Sequence, residues 1–191
     1  EINPIELQSE LDKLQQRAAT LFVRELRLQA ESQGLEFAPD ASMIAQSEDT
    51  AATEESLHLA KRKELSGLMS ILKLQKIQRQ QDLTASQQAL ETSRNMLGLI
   101  EDEITIIEPL VRQNIMPETR LLELRRDEQR MSGEIQAGVA RVAIAQSAIL
   151  EVENEISNGL DGYKRRALEE LNTIVAELSE VNTLVPALQE R

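Results

Sequence analysis

The 191-residue sequence has no cysteine and no tryptophan, and its aromatic residues are one tyrosine and two phenylalanines. The absence of cysteine excludes disulfide bonds and thiol-based sites, and it is compatible with any redox compartment. So few aromatic residues are not enough for the core of an ordinary globular domain of this length. Seven glycines and five prolines are also too few for the many turns of a β-rich fold.

Basic residues are in short supply as well: 21 stand against 33 acidic residues, for a formal charge of −12. Nucleic acid is therefore not an expected partner, because phosphates require a basic surface and unpaired bases require aromatic side chains. No apolar run approaches the roughly 20 residues of a membrane-spanning helix, and no signal peptide is apparent. The remaining composition, mainly Leu, Ala, Glu, Gln, Arg and Ile, is typical of long helices and coiled coils.

Three segments show the alternating three- and four-residue spacing of apolar side chains that is typical of coiled-coil helices. This spacing predicts helices over 5–33, 53–114 and 117–188, separated by an acidic loop at 34–52 and a turn at 115–117. At about 1.5 Å per residue, the two longer helices would extend about 90 to 105 Å. Because so short a turn joins them, we expect an antiparallel hairpin within a single α-helical domain.

The apolar seams of the two long helices match each other in register. In the second helix the seam consists of Leu83, Ser86, Leu90, Ser93, Leu97, Ile100, Ile104, Ile107 and Val111. In the third it consists of Leu121, Leu124, Glu128, Met131, Ile135, Gly138, Val142, Ala145, Ile149 and Val152. In an antiparallel pair the residue numbers of facing positions have a constant sum. From the pair Val111 and Leu121 to the pair Leu83 and Ile149, every sum is 231 or 232. The sequence therefore predicts an all-α fold, a long antiparallel coiled-coil hairpin that reverses near Met116.

The first helix is expected to pack on the base of this hairpin. Over 57–77 and 160–188, apolar residues cover more than one helix face, which indicates a second neighbour. The first helix carries its own seam, and Glu25 fills the one missing apolar place: Leu7, Leu11, Leu14, Ala18, Leu21 and Leu28. Gly34 is the expected stop of this helix, and Thr53 or Thr50 the expected cap of the next. The direction of the first helix is left open.

No catalytic constellation, glycine-rich phosphate loop or zinc-ligand spacing occurs in the sequence. His58 is the only histidine, and a metal site would need companion ligands that are missing around it. A packing or surface role is therefore expected for His58, and a core position for Tyr163. The sequence predicts neither an enzyme nor a cofactor or metal site.

The turn between the long helices is the one candidate site. Between residues 108 and 130, five arginines balance five acidic residues, although the chain as a whole is acidic. Its apolar residues either close the turn by packing on Leu121 and Leu122 or form the centre of a docking surface with a polar rim. The candidate docking residues are Leu110, Arg112, Gln113, Asn114, Ile115, Met116, Pro117, Glu118 and Arg120.

The run from Glu108 to Arg126, EPLVRQNIMPETRLLELRR, resembles the turn of hemolysin-D-type membrane fusion proteins, the periplasmic adaptors of type I secretion systems. Ile2–Glu6 resembles the stretch that leaves the first half of that family's lipoyl domain. Gly34–Pro39 resembles the break after the family's first helix. The resemblance extends over essentially the whole chain and implies an excised α-helical domain without lipoyl domain, β-barrel or membrane anchor.

The resemblance implies an adaptor that links an inner-membrane ABC transporter to a TolC-like outer-membrane channel. It also implies assembly of copies, as a hexamer, into a helical conduit in the periplasm, anchored in the inner membrane through a segment outside this sequence. Related efflux adaptors carry an Arg-Leu-Ser pattern at the tip, and of the aligned positions Ile106, Leu110 and Pro117 only the leucine matches. Whether the 115–117 turn or the 34–52 loop faces the channel is left open.

An alternative reading needs neither a hexamer nor a channel. A structural coiled-coil tether or spacer without a transport role would show the same composition and heptad spacing. Flanking sequence separates the two readings, because lipoyl-like β segments on both sides support the adaptor and further heptads support the tether.

Overall fold

The structure, a computed structural model, describes residues 4–42 and 47–189. Within these residues the long elements are three helices, α1 (Pro4–Gln33), α2 (Glu48–Arg112) and α3 (Glu118–Gln189), and there is no β-strand. The predicted all-α fold, a long helical hairpin with a shorter third helix, is confirmed. By contacts the chain divides into two compact units, Glu1–Ser70 with Ile156–Arg191, and Ile71–Glu155. We call them the three-helix unit and the two-helix unit.

The start of α2 differs from the prediction, since the helix begins at Glu48 and neither Thr53 nor Thr50 is its cap. The Ser47 carbonyl accepts the Ala51 N–H at 3.0 Å, and the Ser47 hydroxyl donates to Thr50 Oγ1 at 2.7 Å. Ser47 therefore holds the N-cap position. Thr53 already lies inside the helix, where its hydroxyl donates to the Asp49 carbonyl at 2.7 Å. The earlier start places the acidic Glu48 and Asp49 in the first turn, where the helix dipole favours negative charge.

In the three-helix unit, α1 runs antiparallel to α3. Arg17 Nη2 lies 3.5 Å from Glu177 Oε2, and Arg27 Nη2 lies 3.8 Å from Glu170 Oε2. Residue numbers thus rise along one helix as they fall along the other, which fixes the direction that the sequence left open.

The same kind of evidence shows that α1 runs parallel to α2. Arg24 Nε lies 3.2 Å from Glu54 Oε1, and Lys61 Nζ lies 3.4 Å from Glu31 Oε2. Residue numbers therefore rise together along the two helices. The segment between them has to carry the chain back along α1 before α2 begins.

The core of the three-helix unit forms along the predicted seam of α1. Leu28 is fully buried and Leu21 nearly so, and burial of a leucine contributes about 1.5 to 3 kcal/mol. The buried cluster contains Leu21, Leu28, Ala167, Ile174 and Val181, flanked by Leu14, Ala18, Leu171, Leu178 and Val185. A second cluster on another face of α1 brings together Val23, Phe37 and Ala51. Phe37 thereby holds the returning segment against α1.

α1 does not cover the whole apolar stripe of 57–77, although the sequence led us to expect a second neighbour there. Leu57, Leu59 and Leu68 are 41, 57 and 45% exposed. Leu68 lies beyond the end of α1, which stops at Gln33, where Gly34 adopts a left-handed conformation (φ 75°). The Leu35 N–H donates to the Ala30 carbonyl at 2.8 Å, the bond of a Schellman motif.

In the two-helix unit, every predicted seam position of α2 and α3 is buried or half-buried. Leu90 lies directly against Gly138, since a β-carbon on the glycine would come within 3.0 Å of Leu90 Cδ1. Ser93, one turn away, was predicted to face this glycine. A large side chain thus packs on the glycine, where the constant sum of 231 had placed Ser93. Lys76 Nζ, 2.8 Å from Glu153 Oε1, adds a cross-helix ion pair.

Candidate functional site: the turn between the long helices

The turn after α2 is fixed by the backbone. The Ile115 N–H donates to the Leu110 carbonyl at 2.9 Å, and the Asn114 N–H donates to the Val111 carbonyl at 2.9 Å. Asn114 is left-handed with φ 58°, a conformation that asparagine tolerates better than most residues. These features define a Schellman motif, which ends α2 sharply and leaves the turn little freedom.

α3 starts directly after this motif. Pro117 precedes the first helical residue, Glu118, and its carbonyl accepts the Arg120 N–H at 3.2 Å. A proline suits this position because it has no N–H to leave unpaired and its φ is already close to helical. The carboxylate of Glu118 falls in the first turn, where the helix dipole favours it.

The apolar residues of the turn divide into an inward and an outward group. Met116 and Leu121 pack against the buried cluster of Ile104, Ile107 and Leu124 and so close the end of the hairpin. Ile115 is 64% exposed. Leu122, which was considered as part of the closure, is 51% exposed and does not belong to that cluster. The closing role therefore holds for Met116, whereas Ile115 faces solvent and its docking role stays a prediction.

The arginines at the turn are ion-paired within the chain. Arg112 Nη2 lies 2.8 Å from Glu108 Oε1, and Arg120 Nη2 lies 2.5 Å from Glu103 Oε1. The hydrogen bond to Glu103 and its negative charge raise the pKa of Arg120. Such exposed pairs add little stability.

All nine candidate residues lie within this turn and the adjoining ends of α2 and α3. Leu110 and Met116 are half-buried, and the remaining seven are exposed: Arg112, Gln113, Asn114, Ile115, Pro117, Glu118 and Arg120. The arrangement is an exposed isoleucine with polar neighbours on a rigid turn, which is suited to binding and offers no reactive group. Their role in docking stays a prediction.

Sequence reasoning missed a buried polar cluster in the three-helix unit. Arg27 is 2% exposed; its Nε donates to Glu54 Oε2 at 2.5 Å and its Nη1 to Glu31 Oε1 at 2.6 Å. Burial lowers the pKa of Arg27, but the hydrogen bonds to Glu31 and Glu54 outweigh it, so the pKa is raised. The signal in the sequence was the spacing of three or four residues between Arg24, Arg27 and Glu31.

His58 joins this cluster and is 1% exposed, in keeping with a packing role. Its Nε2 accepts the Phe37 N–H at 3.2 Å, and its Nδ1 lies 3.4 Å from Glu31 Oε1. The neutral ring therefore carries its hydrogen on Nδ1, directed at the carboxylate. The Phe37 and His58 rings meet edge to face at 6.0 Å. His58 thus holds the returning segment in place.

The cluster contains no carboxylate that is free to react. Glu31 and Glu54 are both occupied by cations, so neither is free to act as a base or nucleophile. Across residues 4–42 and 47–189, no group of three or more His, Cys, Asp and Glu side chains is placed to hold a metal ion. A groove of about 590 Å³ borders the cluster and includes Tyr163. The Tyr163 hydroxyl is buried without a hydrogen-bond partner, and burial raises its pKa.

Comparison with known proteins shows which family and which solved structure this architecture matches. A family model described as AprE, long alpha-helical hairpin, matches residues 7–191. The chain belongs to this family. A solved structure, the soluble domain of LipC, a membrane fusion protein of a type I secretion system, matches with a TM-score of 0.89. The match covers 99% of this chain and 92% of LipC at 19% sequence identity, which establishes a shared fold.

No curated protein sequence matches the chain. The resemblance to membrane fusion proteins seen in the turn residues is nevertheless confirmed, because the AprE family model and the LipC fold both extend over nearly the entire chain.

Proposed function

We propose that this AprE-type hairpin is the helical domain of a periplasmic adaptor of a type I secretion system. In this role it links an inner-membrane ABC transporter to a TolC-like outer-membrane channel. The observation that carries the proposal is the fold shared with LipC over 99% of the chain, together with membership of the AprE family. The protein would be anchored in the inner membrane through a segment outside this sequence, and copies would assemble as a hexamer.

The turn at 113–117 is the proposed channel-facing end. Ile115 is 64% exposed there, and the backbone hydrogen bonds that hold it need no partner to form. The returning segment after α1 is a weaker candidate, because Phe37 is buried and its N–H donates a hydrogen bond to His58 Nε2. An apolar group on a turn that is already fixed loses little freedom on docking, which favours binding.

The test compares one substitution at each end in the full-length adaptor. We expect Ile115→Asp to abolish secretion of the cognate substrate while the helical signal in circular dichroism stays unchanged. The matched control is Leu35→Asp, because Leu35 is 57% exposed and also directly follows a left-handed residue. This variant should secrete normally.

The opposite result, loss of secretion only with Leu35→Asp, would assign docking to the segment after α1. Normal secretion by both variants would contradict docking through either end. If deletion of the whole protein left secretion intact, the adaptor role itself would be wrong and the tether reading would stand.

A further inference from the structure

His58 is a buried titratable group that the proposed function does not use. It is the only histidine in the sequence, and it is 1% exposed in the three-helix unit. Histidine is the side chain whose charge ordinarily changes between pH 5 and 8. The hydrogen bonds that His58 makes are therefore the ones in this unit that mild acid can change.

The two ring nitrogens of His58 have different roles. Nε2 accepts the Phe37 N–H at 3.2 Å, whereas Nδ1 lies 3.4 Å from Glu31 Oε1 and directs its hydrogen at that oxygen. A protonated ring carries hydrogens on both nitrogens and accepts no hydrogen bond. Protonation therefore sets two donors, Nε2–H and the Phe37 N–H, against each other and removes the bond between them.

This bond holds the buried attachment of the segment that follows α1. Of residues 35–42, Phe37 alone is buried, and its ring meets the imidazole edge to face at 6.0 Å. The ion pair of Glu36 with Arg62, 2.8 Å long, lies at the surface, where Glu36 is 84% exposed, and such a pair contributes little. Loss of the bond at Phe37 therefore weakens the attachment of residues 35–42 to the helices.

The charged groups around His58 are balanced while the ring is neutral. Among the described residues, the ion pairs of this region join four cations to four carboxylates from α1, the segment after it, α2 and α3: Arg24, Arg27, Lys61 and Arg62 with Glu31, Glu36, Glu54 and Glu170. A proton on His58 adds one positive charge in excess of these carboxylates. Because the site is largely buried, water does little to offset that charge.

The other groups that face the ring do not absorb this charge. Glu31 is already 2.6 Å from Arg27 Nη1 and 3.4 Å from Lys61 Nζ. Tyr163 of α3 stays neutral in mild acid, because burial raises its pKa further above this range. The proton on His58 is therefore not passed to, or neutralised by, a neighbouring side chain.

The direction of the effect follows from the two positions of residues 35–42. While Phe37 is attached, protonation of His58 costs a hydrogen bond and places a charge in a buried site. When these residues have moved away, water reaches Nε2 and hydrates the charged ring. The proton thus binds more tightly to the released form, so lowering the pH favours release.

We propose that His58 is a pH-sensitive switch that holds residues 35–42 against the helices while it is neutral and releases them when it is protonated in mild acid. The change is local, because the cluster that joins α1 to α3 consists of leucine, alanine, isoleucine and valine side chains, whose packing does not depend on pH. The inference does not depend on the proposed role in secretion.

Two measurements on the purified chain test the switch without any substitution. Nuclear magnetic resonance of histidine-labelled protein reads the protonation of His58 alone, since the sequence has no other histidine. Hydrogen exchange, corrected for its intrinsic pH dependence, reads the protection of a fragment that contains Phe37. We expect this protection to fall about tenfold between pH 7.5 and 5.5 with the same midpoint as the protonation of His58, while residues 167–181 keep theirs. Protonation without loss of protection, or no protonation until the whole chain unfolds, would overturn the proposal.

Three variants assign the effect to His58. His58→Gln keeps an acceptor near the position of Nε2 but does not titrate, so the fragment should stay protected at both pH values. His58→Leu has no acceptor, so the fragment should be about tenfold less protected at both. Glu36→Gln is the matched control, because it removes the exposed ion pair with Arg62 and should leave the pH dependence unchanged. Circular dichroism checks that each variant is folded.

A pH-dependent loss of protection that persists in His58→Gln, or that disappears in Glu36→Gln, would assign the effect to another group and overturn the switch. Secretion is not measured in these experiments. Loss of the adaptor role would therefore leave the switch standing, and failure of the switch would leave the adaptor role untouched.

Discussion

The guanidinium of Arg27 holds two carboxylates inside the three-helix unit. We expect Arg27→Met to lower the free energy of unfolding by about 3 to 5 kcal/mol, because Glu31 and Glu54 would remain buried without their main cation. Arg24→Met is the control, since Arg24 is 43% exposed and its pair with Glu54 should contribute less than about 1 kcal/mol. Urea unfolding measures both, and equal effects would contradict a special role for the buried residue.

Removal of the Tyr163 hydroxyl, which has no hydrogen-bond partner, should not lower the free energy of unfolding. Tyr163→Phe removes a buried polar group that costs about 1 to 3 kcal/mol when unsatisfied, so the variant should be at least as stable as the wild type. The folded-state pKa of Tyr163 is raised above 10.0 by burial. Above this pH the unfolded tyrosine ionises while the folded one stays neutral. The wild type should therefore lose stability on alkalinisation faster than the variant, as seen in unfolding curves on both sides of pH 10.

Single residues were the least predictable part of the chain. The spacings of Arg27 with Glu31 and of Glu54 with His58 place each pair on one helix face. Which faces meet depends on the direction of α1, and heptad spacing alone carries no information about direction. The candidate docking residues of the turn were named from composition and stay a prediction, whereas the outward position of Ile115 and the inward position of Met116 depend on the Schellman geometry.

At the scale of elements, the ends of α1 and α2 share one device, a left-handed residue after the last turn. Gly34 has φ 75°, so Gly34→Ala should destabilise the fold by about 1 to 2 kcal/mol. Asn114→Gly should be neutral or slightly stabilising, because glycine adopts its φ of 58° without strain. Thermal unfolding of the two variants checks the pair, and a neutral Gly34→Ala would contradict the strain argument.

The glycines inside α3 distinguish open from crowded helix faces. Gly133→Ala should stabilise the hairpin by about 0.5 to 1 kcal/mol, since alanine is the better helix former and no other atom lies within 4 Å of the added carbon. Gly138→Ala should gain less or lose, because that carbon would come 3.0 Å from Leu90 Cδ1. Equal gains in urea unfolding would mean that Leu90 moves aside freely.

The apolar seams of the long helices were predictable because the same heptad spacing persists over many turns of both α2 and α3. The start of α2 was not, because Thr50 and Thr53 have the chemistry of caps but lie inside the helix. Coverage by α1 was overestimated for a related reason. A wide apolar stripe predicts a neighbour without saying how far that neighbour extends, and Leu68 stays exposed.

At the scale of the molecule, the two units should differ in local stability. The three-helix unit buries Leu28, Arg27 and His58 almost completely, whereas most seam residues of the two-helix unit are half-buried. Amide hydrogens of α2 near residues 54–62 should therefore exchange more slowly than those of residues 83–100 on the same helix. Hydrogen exchange measured by mass spectrometry tests this, and uniform protection along α2 would contradict it.

The antiparallel course of α1 and α3 determines where the polypeptide enters and leaves. Arg17 pairs with Glu177, Arg17 is the thirteenth residue after Pro4, and Gln189 is the twelfth residue after Glu177. The first residues of α1 and the last residues of α3 therefore lie side by side. In a circular permutant these ends are joined by a short linker and the new termini are placed at Asn114. This variant should retain the pairing of the helices, although the turn between α2 and α3 is cut.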